Sequence, residues 1–314
     1  MTQSITVSIL MPTYNHEKYI AQAIDSALAQ KCSFNFELLI HDDCSTDSTL
    51  KIAREYAEKY PGQIRLFTEN QNCGLIKSYK KLMEKARGKY VAILESDDLW
   101  INEQKLQKQV DFLEANKDFG LVAGDIIEID QNGNEINKGS VFNTHIREKT
   151  RWYEELLGNN GVRGACSVMF CKKDFDSYCN MGDWVNLNFK TFDQPAWLSI
   201  SFYKKCAYFS EKLAAYRVLE TSISNAKNSK KSMDFCVGVA DIEEYIVGRF
   251  GTGKLSEQAY NQKICLNMTG KALKRKRRKT FVKYAKMLKP LSLKQKIMHS
   301  FPNLYYWQFT TRHR

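Results

Sequence analysis

Along the first 130 residues, short apolar runs rich in β-branched residues alternate with stretches of helical periodicity. Ile5 to Met11 (ITVSILM) reads as a strand, and residues 17–30 place Ile20, Ile24, Ala27 and Leu28 on one helical face. The alternation then repeats. Phe36 to His41 precedes a helix predicted over about 47–60, Ile64 to Thr68 precedes one over about 75–87, and Tyr90 to Leu94 precedes one over about 102–116. A fifth strand is expected over Gly120 to Ile129. This order predicts βαβ units with right-handed crossovers, and so a doubly wound α/β fold around a mainly parallel sheet covered on both faces.

Beyond residue 130 the periodicity weakens. Gln131-Asn132-Gly133-Asn134 reads as a turn, and residues 151–220 mix aromatic residues with short apolar runs, as expected of an α+β portion that completes the same core. The apolar run Ala165 to Phe170, after Arg163-Gly164, reads as a core strand or as a lining of an acceptor groove. Residues 221–235 are polar and turn-rich, a helix is predicted over about 234–249, and Gly251-Thr252-Gly253 breaks the chain. The expected organisation is one domain over 1–225, with halves at 1–130 and 131–225, followed by a helical, basic extension over 226–314.

Charge sharpens this division. The chain carries 47 Lys and Arg against 35 Asp and Glu, yet its last acidic residue is Glu257. Residues 258–314 hold 15 of the basic residues, which leaves 1–257 with 32 basic against 35 acidic residues. Positive charge confined to one end argues for a local contact with something anionic and against a chain-wide nucleic-acid coat. No apolar run approaches the length of a membrane span, and residues 1–10 lack the features of a secretory signal, so a cytoplasmic location is expected. The nine Cys are scattered without a C-x-x-C pair and read as reduced thiols; the five His never fall at metal-ligand spacing.

In an open parallel sheet, ligands bind beyond the carboxyl ends of the strands, where the strand order reverses. Strand one ends in Pro12-Thr13-Tyr14-Asn15, strand two in Asp42-Asp43, and strand four in Glu95-Ser96-Asp97-Asp98. Acidic pairs on adjacent strand ends would repel one another, which invites a divalent cation, although each pair alone reads as readily as a helix cap. Hard carboxylates without neighbouring Cys or His suit Mg²⁺ or Mn²⁺ bridging to a diphosphate. No G-x-G-x-x-G follows strand one and no P-loop occurs, so another device must hold a nucleotide. Tyr14 can stack on a base, and an Asp ending strand two can accept hydrogen bonds from base or ribose. The combination describes a nucleoside diphosphate that carries a leaving group.

Three segments carry a resemblance: Val7-Ser8-Ile9-Leu10-Met11-Pro12-Thr13-Tyr14-Asn15, Ile40-His41-Asp42-Asp43-Cys44-Ser45-Thr46-Asp47-Ser48-Thr49, and Gly88 to Trp100 (GKYVAILESDDLW). Together they resemble the signatures of family 2 glycosyltransferases with the GT-A fold, over about 5–220. The resemblance implies that Pro12, Thr13, Tyr14, Asn15 and Asp43 hold the nucleotide, that Glu95 and Asp97 lie at the nucleotide-sugar, and that Asp98 with Asp97 binds Mn²⁺ or Mg²⁺ in a DxD-like motif. Glu95 stands where the family's D-x-D-D pattern has Asp. Inverting members use a carboxylate in a stretch resembling D-x-P-x-W-L, here Asp193-Gln194-Pro195-Ala196-Trp197-Leu198, which makes Asp193 the candidate general base and Asp183, in Gly182-Asp183-Trp184, its competitor. Asp193 also opens a helical pattern and reads as a cap. Lys77 is placed to reach a diphosphate, and Arg217, before Ser222-Ile223-Ser224-Asn225, resembles the family's closing segment near the donor.

Residues 271–314 set Leu273, Phe281, Tyr284 and Leu288, then Phe301, Tyr305, Tyr306, Trp307 and Phe309, among Lys and Arg. Cations with interleaved aromatic residues read as an anionic membrane surface contact, a nucleic-acid arm, or a helix packed on the domain; a lipid-linked acceptor favours the first. The expectation is a cytoplasmic, peripheral, metal-dependent inverting glycosyltransferase, hexosyl- or N-acetylhexosaminyl-, at the inner face of the membrane. It would move a sugar from a UDP-linked donor to a glycan or lipid-linked glycan in surface polysaccharide synthesis, with no nucleic-acid partner. The competing readings are a sugar-nucleotide nucleotidyltransferase and a non-enzymatic basic-tailed binding module.

Overall fold

The computed structural model of the chain describes residues 4–137, 152–157, 162, 164–219, 229–274, 277–288, 293–303 and 305–306. The alternation legible in the pattern is realised as β1 (Ile5–Thr13), α1 (Ile20–Leu28), β2 (Asn35–Asp42), α2 (Thr49–Lys59), β3 (Ile64–Thr68), α3 (Leu75–Lys85), β4 (Tyr90–Ile93), the short β5 (Leu99–Trp100), α4 (Lys105–Ala115) and β6 (Phe119–Ile129). There follow β7 (Glu135–Asn137), α5 (Tyr153–Leu156), β8 (Met169–Cys171), α6 (Lys172–Tyr178), α7 (Met181–Asn186), α8 (Asp193–Tyr203) and β9 (Lys205–Arg217). The last helices are α9 (Ser229–Phe250), α10 (Glu257–Lys274), α11 (Arg278–Met287) and α12 (Leu293–Ser300).

The strands lie in the order β3-β2-β1-β4-β8-β6-β9-β5, with β7 on β6. β3, β2, β1 and β4 run parallel, in registers such as Ile9 opposite Leu38 and Ile9 opposite Ala92. Strands buried on both faces must be apolar throughout, and Val7 to Met11, apart from Ser8, and Leu38 to Ile40 are continuous hydrophobic runs at 0% exposure. The doubly wound, mainly parallel fold class is therefore correct, with one addition. β8 enters antiparallel between β4 and β6, pairing Ala92 with Met169 on one side and Val122 with Met169 on the other, so β6 is not the neighbour of β4. A three-residue strand carries too little pattern to reveal such an insertion. Met169 to Cys171 is thus a core strand; Arg163 lies outside the described residues.

The expectation that the two acidic pairs sit on adjacent strand ends is corrected by this order. β1 lies between β2 and β4, and it is the ends of β1 and β4 that meet where the strand order reverses. At the opposite end of the strands a buried carboxylate ties the sheet together. Glu37, at 0% exposure, accepts from Ser8 Oγ (2.7 Å), Arg65 Nη1 (2.9 Å) and Arg87 Nη2 (2.6 Å). Gly88 follows, where an added Cβ would lie 2.4 Å from the backbone nitrogen of Ser8. Only glycine lets the chain enter β4 there.

The chain divides into two compact units, Met1–Trp152 with Val162–Val218, and Tyr153–Gly161 with Leu219–Arg314. The second has its own core of Met233, Cys236, Cys265, Met268, Phe281 and Tyr284. This overturns one part of the membrane reading. Leu273, Phe281, Tyr284 and Leu288 are 0–9% exposed and pack inside the helical unit, so they are unavailable to lipid. Tyr305 and Tyr306 lie against Phe281, whereas Phe301 is 61% exposed; Trp307 and Phe309 fall outside the described residues. No described helix is long and apolar enough to cross a membrane.

Candidate active site

The ends of β1 and β2 are laced together before any ligand is considered. Asn15 N–H donates to Ser45 Oγ (3.0 Å), Asn15 Oδ1 accepts from Thr46 N–H (2.8 Å), and His16 N–H donates to Thr49 Oγ1 (2.8 Å). Asn15 and Cys44 adopt positive φ, 55° and 64°, a conformation costly for residues with a Cβ and one that persists where surrounding contacts over-determine it. Pro12 and Thr13 are buried beneath this turn, and Tyr14 stands out at 43% exposure.

Asp43 closes the turn on its other side. Its carboxylate accepts from Cys73 N–H (2.7 Å) and Gly74 N–H (2.8 Å), which fixes the start of α3. Gly74 takes φ 88° there, open only to glycine at little cost. Lys77 on that helix is exposed. Asp42 is fully buried and accepts from Ser45 N–H at 3.0 Å, a turn-forming role.

The turn after β4 gathers the acids. Glu95 Oε1 accepts from the Tyr79 hydroxyl (3.2 Å), and desolvation, then the charges of Asp97 and Asp193, push its carboxyl up to about 8. Asp98 is 2% exposed. Its Oδ1 accepts Arg217 N–H at 2.7 Å, its Oδ2 accepts no N–H or O–H among the described residues, and the Cys166 thiol lies beside it. Burial, then Asp97 and Glu95, raise its carboxyl well above the ordinary range. Asp97 is the more accessible acid, its side chain 20% exposed and 4.0 Å from His16 Nδ1.

Arg217 holds this turn from within the protein. Its Nε donates to the Asp97 carbonyl (2.8 Å), Nη1 to the Asp130 carbonyl (3.1 Å), and Nη2 to Gln22 Oε1 (3.0 Å), with the guanidinium over the Tyr19 ring. Arg217 was expected on a closing segment at the donor. At 2% exposure, with its donors committed to protein acceptors, it is instead a buried lock of the acidic turn, and residues 220–228 lie outside the described residues.

Asp193 begins α8 beside this cluster. Tyr79, which reaches Glu95, stacks on Phe192 at 4.1 Å, and Asp193 is near enough to raise Glu95 electrostatically. Asp193 Oδ1 accepts from Thr191 Oγ1 and from Gln194 N–H; burial nonetheless raises its carboxyl above the usual range. Asp183, on α7, is half-buried, and its backbone N–H is capped by Asn180 Oδ1 at 3.2 Å. The charges that push up Glu95 come from Asp97 and Asp193. Sequence reasoning missed Tyr79, His16 and Cys166, which belong to none of the three motifs and reach the acids only through folding, and gave no role to Ser96 within the acidic motif itself.

Among the described residues, no three His, Cys, Asp or Glu side chains converge as ligands of an ion. One or two carboxylates in a partly dry turn, with a buried Asp98 oxygen that accepts no N–H or O–H, are hard oxygen donors of the kind that suit Mg²⁺ or Mn²⁺.

The family model described as glycosyl transferase family 2 matches residues 8–177. The protein Rv1520 of Mycobacterium tuberculosis, of uncharacterized function, is 41% identical over 110 residues, and that match spans 35% of this chain but 32% of that protein. The putative teichuronic acid biosynthesis glycosyltransferase TuaG of Bacillus subtilis is 33% identical over 224 residues, covering 70% of this chain and 82% of TuaG. In fold, the chain is similar to S. aureus TarS 1–349 in complex with UDP-GlcNAc, with a TM-score of 0.66 at 16% identity over 98% of this chain and 90% of that one. Matched by the family model over more than half its length, with its three motifs on the ends of β1, β2 and β4, the chain belongs to glycosyl transferase family 2.

Proposed function

We infer that the protein is an inverting, metal-dependent glycosyltransferase that moves a sugar from a UDP-linked donor to a glycan, carried on a lipid, in the synthesis of a bacterial surface polysaccharide. The observation that carries the chemistry is the pairing of the acidic turn after β4 with Asp193 through Tyr79 and Phe192. TuaG, by its name in teichuronic acid biosynthesis, and TarS, by its complex with UDP-GlcNAc, support the pathway class and the nucleotide.

The exposed Tyr14 ring stacks on the base, and Asp43, whose oxygens each keep a second lone pair, accepts from base or ribose. Asp97 and Asp98 would hold Mn²⁺ or Mg²⁺, which when bound neutralises charge on the departing diphosphate. Lys77, exposed on α3, supplies a cation for the phosphates. Asp193 takes the proton of the acceptor hydroxyl as the new bond forms at the anomeric carbon, on the face opposite the leaving group. Its raised affinity for a proton suits that role.

The test is a thermal-shift and calorimetric titration of UDP, GDP, dTDP and ADP, each with and without Mn²⁺. A Mn²⁺-dependent shift for UDP is expected, lost in Asp98→Ala. Absence of a shift for every nucleotide, or binding unchanged by Asp98→Ala, would reject the reading.

A further inference from the structure

We propose that His16 is a positioning residue for the reaction, orienting the Asp97 carboxylate through Ser96. The inference rests on the reading that Asp97 serves the metal and diphosphate. His16 belongs to the turn after β1, and three backbone ties fix its place. Its N–H donates to Thr49 Oγ1 at 2.8 Å, and its carbonyl accepts from Tyr19 N–H (2.9 Å) and Ile20 N–H (3.0 Å), the entry to α1.

The imidazole reaches across to the acidic turn. Nδ1 lies 2.7 Å from Ser96 Oγ and 4.0 Å from Asp97 Oδ1. Ser96 Oγ donates its one hydrogen to the Pro12 carbonyl at 3.3 Å. With its hydrogen on Pro12, Ser96 Oγ accepts from His16 in the tautomer that carries the proton on Nδ1, the nitrogen nearer Asp97. Ser96 is fully buried, so this link cannot be replaced by bulk water.

Asp97 is thereby held at both ends. Its backbone carbonyl accepts Arg217 Nε, the His16–Ser96 bond fixes the residue before it with the imidazole 4.0 Å from its carboxylate, and the two holders meet through Tyr19. That ring carries the Arg217 guanidinium at 4.7 Å and sits edge-on to His16 at 6.3 Å. Groups that orient a ligating carboxylate are worth about 10–100-fold in metal affinity.

The experiment uses the nucleoside diphosphate that binds best among UDP, GDP, dTDP and ADP. Its affinity is measured by calorimetry with and without Mn²⁺ for the wild type, His16→Ala, His16→Asn and His16→Gln, alongside melting temperatures. An Asn amide can place an N–H near the position of Nδ1, and a Gln amide near that of Nε2. His16→Ala and His16→Gln are expected to lose about tenfold or more of the Mn²⁺-dependent affinity while nucleotide binding without metal stays within about twofold, and His16→Asn to restore most of the loss. Mn²⁺-dependent affinity unchanged in His16→Ala, equal losses with and without metal, or an Asn variant as weak as Ala would each overturn the proposal. A wild type whose nucleotide binding ignores Mn²⁺ would instead reject the role of Asp97 on which it stands.

Discussion

Arg217 and Asp98, 119 residues apart in the chain, meet where the backbone N–H of the first donates to Oδ1 of the second at 2.7 Å. β9 ends against the acidic turn, and the same arginine binds the carbonyl of Asp97. The site is thus closed by the last strand of the sheet.

Arg217→Met should lower stability by about 3 kcal/mol or more, because the Asp97, Asp130 and Gln131 carbonyls and Gln22 lose a buried charged donor. Arg217→Lys should recover little, since a single ammonium cannot serve these separated acceptors. Chemical denaturation checks both. A loss below about 1 kcal/mol in Arg217→Met would contradict the lock.

Asp193→Asn should cut sugar transfer by about a hundredfold or more while leaving nucleotide affinity within about twofold. Asp193 acts as the carboxylate, and burial raises its pKa, so transfer should rise with pH through a midpoint above the ordinary Asp value. Thr191 lowers that pKa by its hydrogen bond, hence Thr191→Val should move the midpoint upward. A downward shift in the pH–rate profile would refute the assignment.

Glu37→Gln should destabilise the protein by about 3 kcal/mol by leaving Arg65 and Arg87 without their buried partner. Burial opposes ionisation of Glu37, but the bonds from Arg87, Ser8 and Arg65 prevail and hold its carboxyl below the usual range. A depressed folded-state value stabilises above the unfolded value of about 4.3 and is lost as pH falls through the folded one. The wild type should therefore lose stability on acidification below about pH 4 more steeply than Glu37→Gln, as denaturation at stepped pH would register.

Arg278, Lys279, Lys283 and Lys286 are exposed on α11 while Phe281, Tyr284 and Ala285 are buried beneath them. Contact with an anionic bilayer through this helix would be electrostatic, at about 1 kcal/mol per cation. Replacing the four cations with Gln should release the protein from phosphatidylserine vesicles and leave the melting temperature nearly unchanged. Phe281→Ala should instead cost about 3–5 kcal/mol of stability in the helical unit. Undiminished vesicle binding by the four-Gln variant would exclude α11 as the contact.

β1 to β4 and α1 to α4 were legible in the chain, because each has enough residues to display its period, whereas the two-residue β5 was not. β3 spans Ile64 to Thr68 as its apolar run predicts. The sequence by itself also determined the family, since Pro12 to Asn15, Asp42-Asp43 and Glu95 to Asp98 are contiguous motifs at strand ends. What only the tertiary structure decided are relations between distant residues. The insertion of β8 beside β4 depends on pairing across the sheet, not on its three residues. Arg217, placed by resemblance on a closing segment near the donor, is buried because β9 delivers it beneath the acidic turn. Phe281 and Tyr284 look lipid-seeking in a basic stretch, but helices around them offer an apolar core, and burial there removes them from solvent. His16 shows no chemistry until folding sets it against Ser96 and Asp97, for a hydrogen bond is made by distance and direction, which a linear pattern does not record.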